Sequence, residues 1–140
     1  MTGTIIPTLR YDDAQRMVEW LCDTFGFARH LVVQDEDGGI AHAQLVLGEA
    51  MIMLGSARQD AFGKLQQTPA ALGGTTQSPY IVVPEVDDLC SRARAAGAAI
   101  VIEVKDEDYG GRGFSCRDPE GHLWNFGTYD PWQAEHSRSP

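Results

Sequence analysis

The run Met51-Ile52-Met53-Leu54-Gly55-Ser56 lines up with Leu123-Trp124-Asn125-Phe126-Gly127-Thr128 at a spacing of 72 residues, in a chain of 140. On the same offset Ile6 falls on Ser78, and Gly48 falls within one residue of Gly121. A period of about half the chain leaves room for two copies of one unit, each with a small core of its own. The fold is therefore constrained before any single element is assigned.

The first copy is the easier to read. Ile5 to Tyr11 is a short apolar run that predicts a strand. Asp12 and Asp13 are N-cap candidates for a helix over Ala14 to Phe25, and Gln15 sits at capping-box spacing from Asp12. Ala14, Met17, Val18, Leu21, Cys22 and Phe25 form one helical stripe, ended by Gly26. Arg29 to Gln34, Ile40 to Leu47 and Ala50 to Leu54 then alternate as strands between turn residues. Periodicity fades from Gly55 to Ser78, with a helical turn expected over Ala61 to Gln67. The second copy predicts a strand over Pro79 to Pro84, and a helix capped by Asp87 or Asp88 with Leu89, Ala93 and Ala96 inward. A strand over Ala98 to Val104 and an acidic loop over Lys105 to Gly111 follow. The reading is one α+β domain over residues 1–130. Module one covers about 4–56, a linker 57–77 and module two 78–130, and a polar tail runs over 131–140.

The chain closes on Tyr109 to Tyr129, YGGRGFSCRDPEGHLWNFGTY. Asp118-Pro119-Glu120-Gly121 separates two aromatic-containing runs, which predicts a β-hairpin: Pro119 fixes φ, and Gly121 accepts a positive φ without a Cβ clash. Arg112-x-Phe114, the DPxG turn and His122-x-Trp124-x-Phe126 together resemble the closing hairpin of the vicinal oxygen chelate superfamily. That superfamily includes glyoxalase I, extradiol dioxygenases, fosfomycin resistance enzymes and bleomycin resistance proteins. The resemblance implies two βαβββ modules whose curled sheets face each other as a cup, with a helix outside each. It also implies a homodimer.

Enzymes of that family draw metal ligands from the first and last strands of each module, and their last strand commonly ends DPxGxxxE. The resemblance puts those positions at Ile6, Met53, Ser78 and Asn125. A divalent cation needs three or four N or O donors converging at about 2.0–2.3 Å. Isoleucine has no donor, a thioether is too soft, and a serine hydroxyl is a poor ligand, so neither a metal nor another cofactor is expected. Alternation along the strands then turns Ile6, Thr8, Met51, Met53, Ser78, Tyr80, Val82, Leu123 and Asn125 inward. The same parity turns in Ser115 and Arg117, matched with His42 and Gln44 in module one. Tyr109 and Arg112 flank the Gly110-Gly111 hinge and are placed to close over the cup as a lid. Plainer readings exist for each: Met51 and Met53 as core filling, His42 as a hydrogen-bonded structural residue, Arg112 as a surface arginine paired with Asp106 or Glu107. Arg117 is similarly placed to pair with Glu120, and His122 to cap the turn.

A formal net charge of −9 excludes nucleic acid and anionic membranes as main partners, because both need a basic footprint. No apolar run approaches the ~20 residues of a membrane span, and no basic-then-apolar leader follows Met1, so a cytoplasmic protein is expected. Cys22, Cys90 and Cys116 lie far apart in apolar stretches and are expected to be reduced. The resulting expectation is a protein similar to bleomycin resistance proteins, sequestering a small organic, cationic or aromatic ligand without chemistry. The alternatives are a metal-dependent glyoxalase-like lyase, isomerase or dioxygenase, a metal-free catalyst built on His42 with Arg112 as anion clamp, and a purely structural role.

Overall fold

The computed structural model describes residues 1–133, so the tail expected beyond that point lies outside the described residues. Its elements are β1 (Thr8–Tyr11), α1 (Ala14–Phe25), β2 (Ala28–Gln34), β3 (Ile40–Leu47), β4 (Ala50–Ser56), α2 (Pro69–Leu72), β5 (Tyr80–Val82), α3 (Val86–Ala95), β6 (Ala99–Asp106), β7 (Arg112–Arg117) and β8 (Leu123–Gly127). Two compact units separate between Gly74 and Thr75, inside the segment of weak periodicity.

Each unit is a four-stranded mixed sheet: β1-β4-β3-β2 in the first and β5-β8-β7-β6 in the second. The first strand of each runs parallel to the last, and the remaining pairs are antiparallel. The 72-residue offset is kept to the residue, since Thr8 pairs with Met53 and Tyr80 with Asn125. Pro7 and Pro79 fix where the parallel strands begin. Neither has an N–H to give, but their carbonyls accept from the backbone N–H of Met53 and of Asn125, at 2.9 and 3.1 Å. β1 accordingly begins at Thr8 and β5 at Tyr80.

The inner hairpins differ by one residue. Gln44 pairs with Met53 whereas Ser115 pairs with Asn125, so Gln44 is the counterpart of Ser115 and Val46 that of Arg117. The expected matching of His42 with Ser115 and of Gln44 with Arg117 is therefore displaced by one pleat. Two residues is one full period of a strand, so the face on which each side chain lies is unchanged. The outer strands β2 and β6 both carry register shifts, between Arg29 and Leu31 and between Val33 and Gln34 in one, and on either side of Ile102 in the other. Such bulges increase local twist and curl a sheet edge. β6 also runs on through Lys105 and Asp106, which the acidic composition had assigned to a loop.

One helix covers one face of each sheet. In module one Met17, Val18, Leu21 and Phe25 of α1 are buried with Leu9, Tyr11, Ala43, Leu45, Ile52 and Leu54. The helix is capped by Asp13, whose carboxylate accepts from Arg16 N at 3.2 Å, so the box expected at Asp12 and Gln15 is not the one formed. Cys22 is only half-buried. In module two Val86, Leu89, Cys90 and Ala93 of α3 are buried, as are Phe114, Cys116, Trp124 and Phe126. Ala96, expected inward, is exposed at the C-cap; Cys90 occupies the inward stripe instead. Asp87 and Asp88 lie in the first turn, not at the cap. Between β4 and β5, within the first unit, turns occupy 61–65, and the helix of this segment starts later, at Pro69, capped by Thr68.

Candidate binding site on the open face of module two

Asp118 is the residue from which the site is built. It is 4% exposed, and its carboxylate is divided between backbone and side chain. One oxygen accepts from the N–H groups of Glu120 and His122 at 2.9 and 3.1 Å, and the other accepts from the Trp124 indole at 3.0 Å. Asp118 and His122 close the turn through a backbone bond of 2.9 Å, with Gly121 at φ +96°. The turn chemistry thereby fixes the rotation of β8. Trp124 and Phe126 are pinned against the core, and Leu123 and Asn125 are left on the opposite, open face.

On that face a polar ladder runs from β7 across β8 to the residues just ahead of β5. Ser115 Oγ donates to Asn125 Oδ1 at 2.7 Å, and Asn125 Nδ2 donates to Ser78 Oγ at 2.8 Å and to the Pro79 carbonyl at 3.0 Å. Both amide hydrogens and one acceptor site of the carboxamide are thus taken by its neighbours. At one end Arg117 bonds the Gly121 carbonyl at 2.8 Å and Thr75 Oγ1 at 3.4 Å. At the other end the ladder opens into a cavity of about 390 Å³, whose floor includes Ser115 and Asn125 and whose walls include Tyr80, Ile102, Tyr109 and Tyr129.

The aromatic rim is held by specific contacts. Tyr80 donates its hydroxyl to the Tyr129 carbonyl at 2.7 Å, and Tyr109 packs on Tyr129 with ring centroids 4.8 Å apart. Tyr80 can lie across β8 only because residue 127 is glycine: a Cβ there would stand 2.4 Å from the hydroxyl. Burial, and then the neighbouring Tyr109, Asp130, Tyr129 and Glu107, push the Tyr80 phenol above its ordinary pKa, so it remains a neutral donor. Tyr109 stands at the tip of the β6–β7 turn, closed by Gly110 N–H to the Glu107 carbonyl at 3.0 Å and Glu107 N–H to that of Gly111 at 2.9 Å.

Of the residues expected on this face, Ser78, Tyr80, Tyr109, Ser115 and Asn125 gather as described, and Arg117 and Leu123 lie toward the hairpin. Arg112 also lines the cavity, but its charged end is engaged elsewhere. Its guanidinium turns to the helix side, where it grips Asp87 of α3 through two nitrogens, at 3.0 and 3.1 Å to the nearer oxygens, and Asp106 at 3.2 Å. These hydrogen bonds lower the pKa of Asp87 and raise that of Arg112. The bond to Asp106 matches the plainer reading of Arg112 as a paired arginine, and the second acidic partner, Asp87, lies on a helix 25 residues away. Tyr129, Ile102 and Glu107 were missed, because they lie past a strand end, at a bulge and in a turn, where alternation gives no direction.

In module one the open face carries Thr8, His42, Gln44, Met51 and Met53, all half-buried or exposed, with Ile6 two residues ahead of Thr8. His42 Nε2 and Gln44 Nε2 lie 3.1 Å apart. Across Ile6, Met53, Ser78 and Asn125, the four positions that the family resemblance marks for metal ligands, this chain offers a hydrocarbon, a thioether, a hydroxyl and a carboxamide already committed to three partners. That donor set does not fit a divalent cation. Among the described residues no three His, Cys, Asp or Glu side chains are grouped to hold a metal ion.

Paired βαβββ sheets closed by a DPxG hairpin define the class, and the chain belongs to the glyoxalase, bleomycin resistance protein and dioxygenase superfamily, whose profile matches residues 5–126. Among solved structures, TioX from Micromonospora sp. ML1 is 34% identical, with a TM-score of 0.70 over 90% of this chain and 98% of that one. The fosfomycin resistance protein FosX from Listeria monocytogenes, solved with Mn(II) and sulfate, shares the fold at 16% identity, with a TM-score of 0.70 over 99% of both chains. An uncharacterised protein of Mycobacterium tuberculosis is 32% identical over 121 residues, covering 86% of this chain and 71% of its own length.

Proposed function

We propose that this protein binds a small organic molecule, aromatic or cationic, in the tyrosine-walled cavity of module two, and that it does so without a metal. The observation that carries the reading is the ladder Ser78–Asn125–Ser115, in which a carboxamide with three partners stands where the family resemblance implies a metal-ligating carboxylate. A cavity of about 390 Å³ lies within the range of small-ligand sites. Tyrosine faces supply area and stacking, the charged lining sets Glu107 beside Lys105 and Arg112, and the hydroxyls and amide supply orientation. Drug sequestration is one use of such a site, and TioX and FosX are the relatives against which to compare ligands.

The test begins with metal content by plasma mass spectrometry and the melting temperature in the presence of nickel, zinc or manganese. Absence of stoichiometric metal and of any shift is expected; about one ion per chain would sink the metal-free reading and restore the lyase, isomerase or dioxygenase alternative. A screen of planar cations and aromatic acids by tyrosine fluorescence follows, with Tyr129→Ala as control. Loss of about tenfold or more in affinity is expected where stacking on that ring is removed. The same reading takes the protein as a homodimer, supported by exposed Leu31, Val33 and Val101 on the outer strands β2 and β6. Light scattering that gives the mass of a single chain at micromolar concentration would refute that part.

A further inference from the structure

The hydrogen bonds on the floor of the module-two cavity have a direction, and the backbone sets it. The Pro79 carbonyl can only accept, so the Asn125 amide nitrogen must face it, at 3.0 Å, and the second amide hydrogen goes to Ser78 Oγ at 2.8 Å. Oδ1 is thereby turned toward β7, where only a donor suits it, and the Ser115 hydroxyl gives its one hydrogen there at 2.7 Å. At the wall the Tyr80 hydroxyl is committed in the same way, to the Tyr129 carbonyl at 2.7 Å. Ser115, Asn125 and Tyr80 all line the cavity, and none of the three keeps a polar side-chain hydrogen to donate into it. Each keeps oxygen lone pairs.

Tying strands together accounts for the ladder, and the polarity it leaves selects what fits above it. The rim adds charge of both signs. Glu107 is half-buried and closes the β6–β7 turn through its backbone, while its carboxylate has no hydrogen bond or ion pair among the described residues. Lys105 pairs in register with Gly113, which sets it on the same face as Ser115 but exposed, at the outer edge. Arg112 is held by Asp87 and Asp106. The Tyr109 and Tyr129 hydroxyls serve in either sense. The inner part of the cavity therefore presents three neutral oxygens and a carboxylate, with the ammonium at its margin. An occupant that displaces water from those oxygens and brings no hydrogens leaves them unpaired, at a loss of affinity. One that carries N–H groups satisfies them, and a positive charge on those groups is met by Glu107.

We infer that the cavity takes a planar aromatic ligand by a cationic hydrogen-bond donor, an amidinium or ammonium directed at Ser115, Asn125 and Glu107, and that it discriminates against aromatic acids. This rests on the reading of the cavity as a binding site, and one experiment separates the two. Benzamidine and benzoate have nearly the same shape and opposite hydrogen-bonding character. Each is titrated into the full chain at equal ionic strength, and the amide resonances of β7, β8 and the β6–β7 turn are followed by NMR. Saturable shifts around Ser115 and Asn125 are expected, with benzamidine bound about tenfold or more tightly than benzoate. Benzoate binding there as tightly or better would overturn the donor requirement and leave the cavity as the site. No saturable shift with either probe would remove the site, and the inference with it. Glu107→Gln leaves the backbone of the turn in place and should weaken benzamidine about tenfold without weakening benzoate. Lys105→Gln should tighten benzamidine and weaken benzoate. Loss of structure would weaken both ligands together, so opposite movements report on the site itself; an unchanged preference in both folded variants would overturn the assignment.

Discussion

Asp118 shows how much one side chain determines here. Its two oxygens serve two backbone donors and one buried indole, so Asp118→Ala strands three polar groups at once. A loss of about 2–4 kcal/mol in denaturant unfolding is expected. A loss under about 1 kcal/mol would show that the turn holds without it. Cys116 gives a prediction in pH. Burial first, and then Asp118 and Cys90, raise its thiol from 9.0 to about 12. Above pH 9 the unfolded thiol ionises while the folded one stays protonated, so its contribution is intact below pH 9 and is lost as pH climbs toward 12. The full span corresponds to about 4 kcal/mol. Cys116→Ala should flatten this alkaline decline relative to wild type, and an unchanged slope would assign it to other groups.

Elements here are stopped and aimed by a few residues at their ends. Asp13→Ala should cost about 1 kcal/mol through α1, read by thermal melting. The β6–β7 turn is less forgiving. Gly111 has φ +76°, and a Cβ there would stand 2.7 Å from the Tyr129 backbone nitrogen. Gly111→Ala therefore has to displace the segment that carries Tyr129, and both stability and ligand affinity should fall; retention of both would show that the turn adapts. At Gly127 the clashing atom is the end of a rotatable side chain, so Gly127→Ala should leave the melting temperature nearly unchanged and free the Tyr80 hydroxyl from Tyr129. The two glycines look alike in sequence and differ in what stands opposite.

At the scale of the molecule, one repeat has been given two surfaces. The 72-residue offset survives as matched registers, yet module one lays an arginine over its glycine where module two lays a tyrosine. Among the described residues no helix is long and apolar enough to cross a membrane. The duplication, the helix stripes, the DPxG turn and the face on which each strand residue lies were legible, because all follow from local periodicity and backbone sterics, and alternation tolerates an error of two residues. Direction beyond the strands was not. The capture of Arg112 by Asp87 and the closure of Asn125 by Ser78 and Ser115 join residues 10 to 47 positions apart. A repeating pattern fixes which way a side chain leaves the backbone, whereas its partner is chosen by what the folded chain brings within about 3 Å.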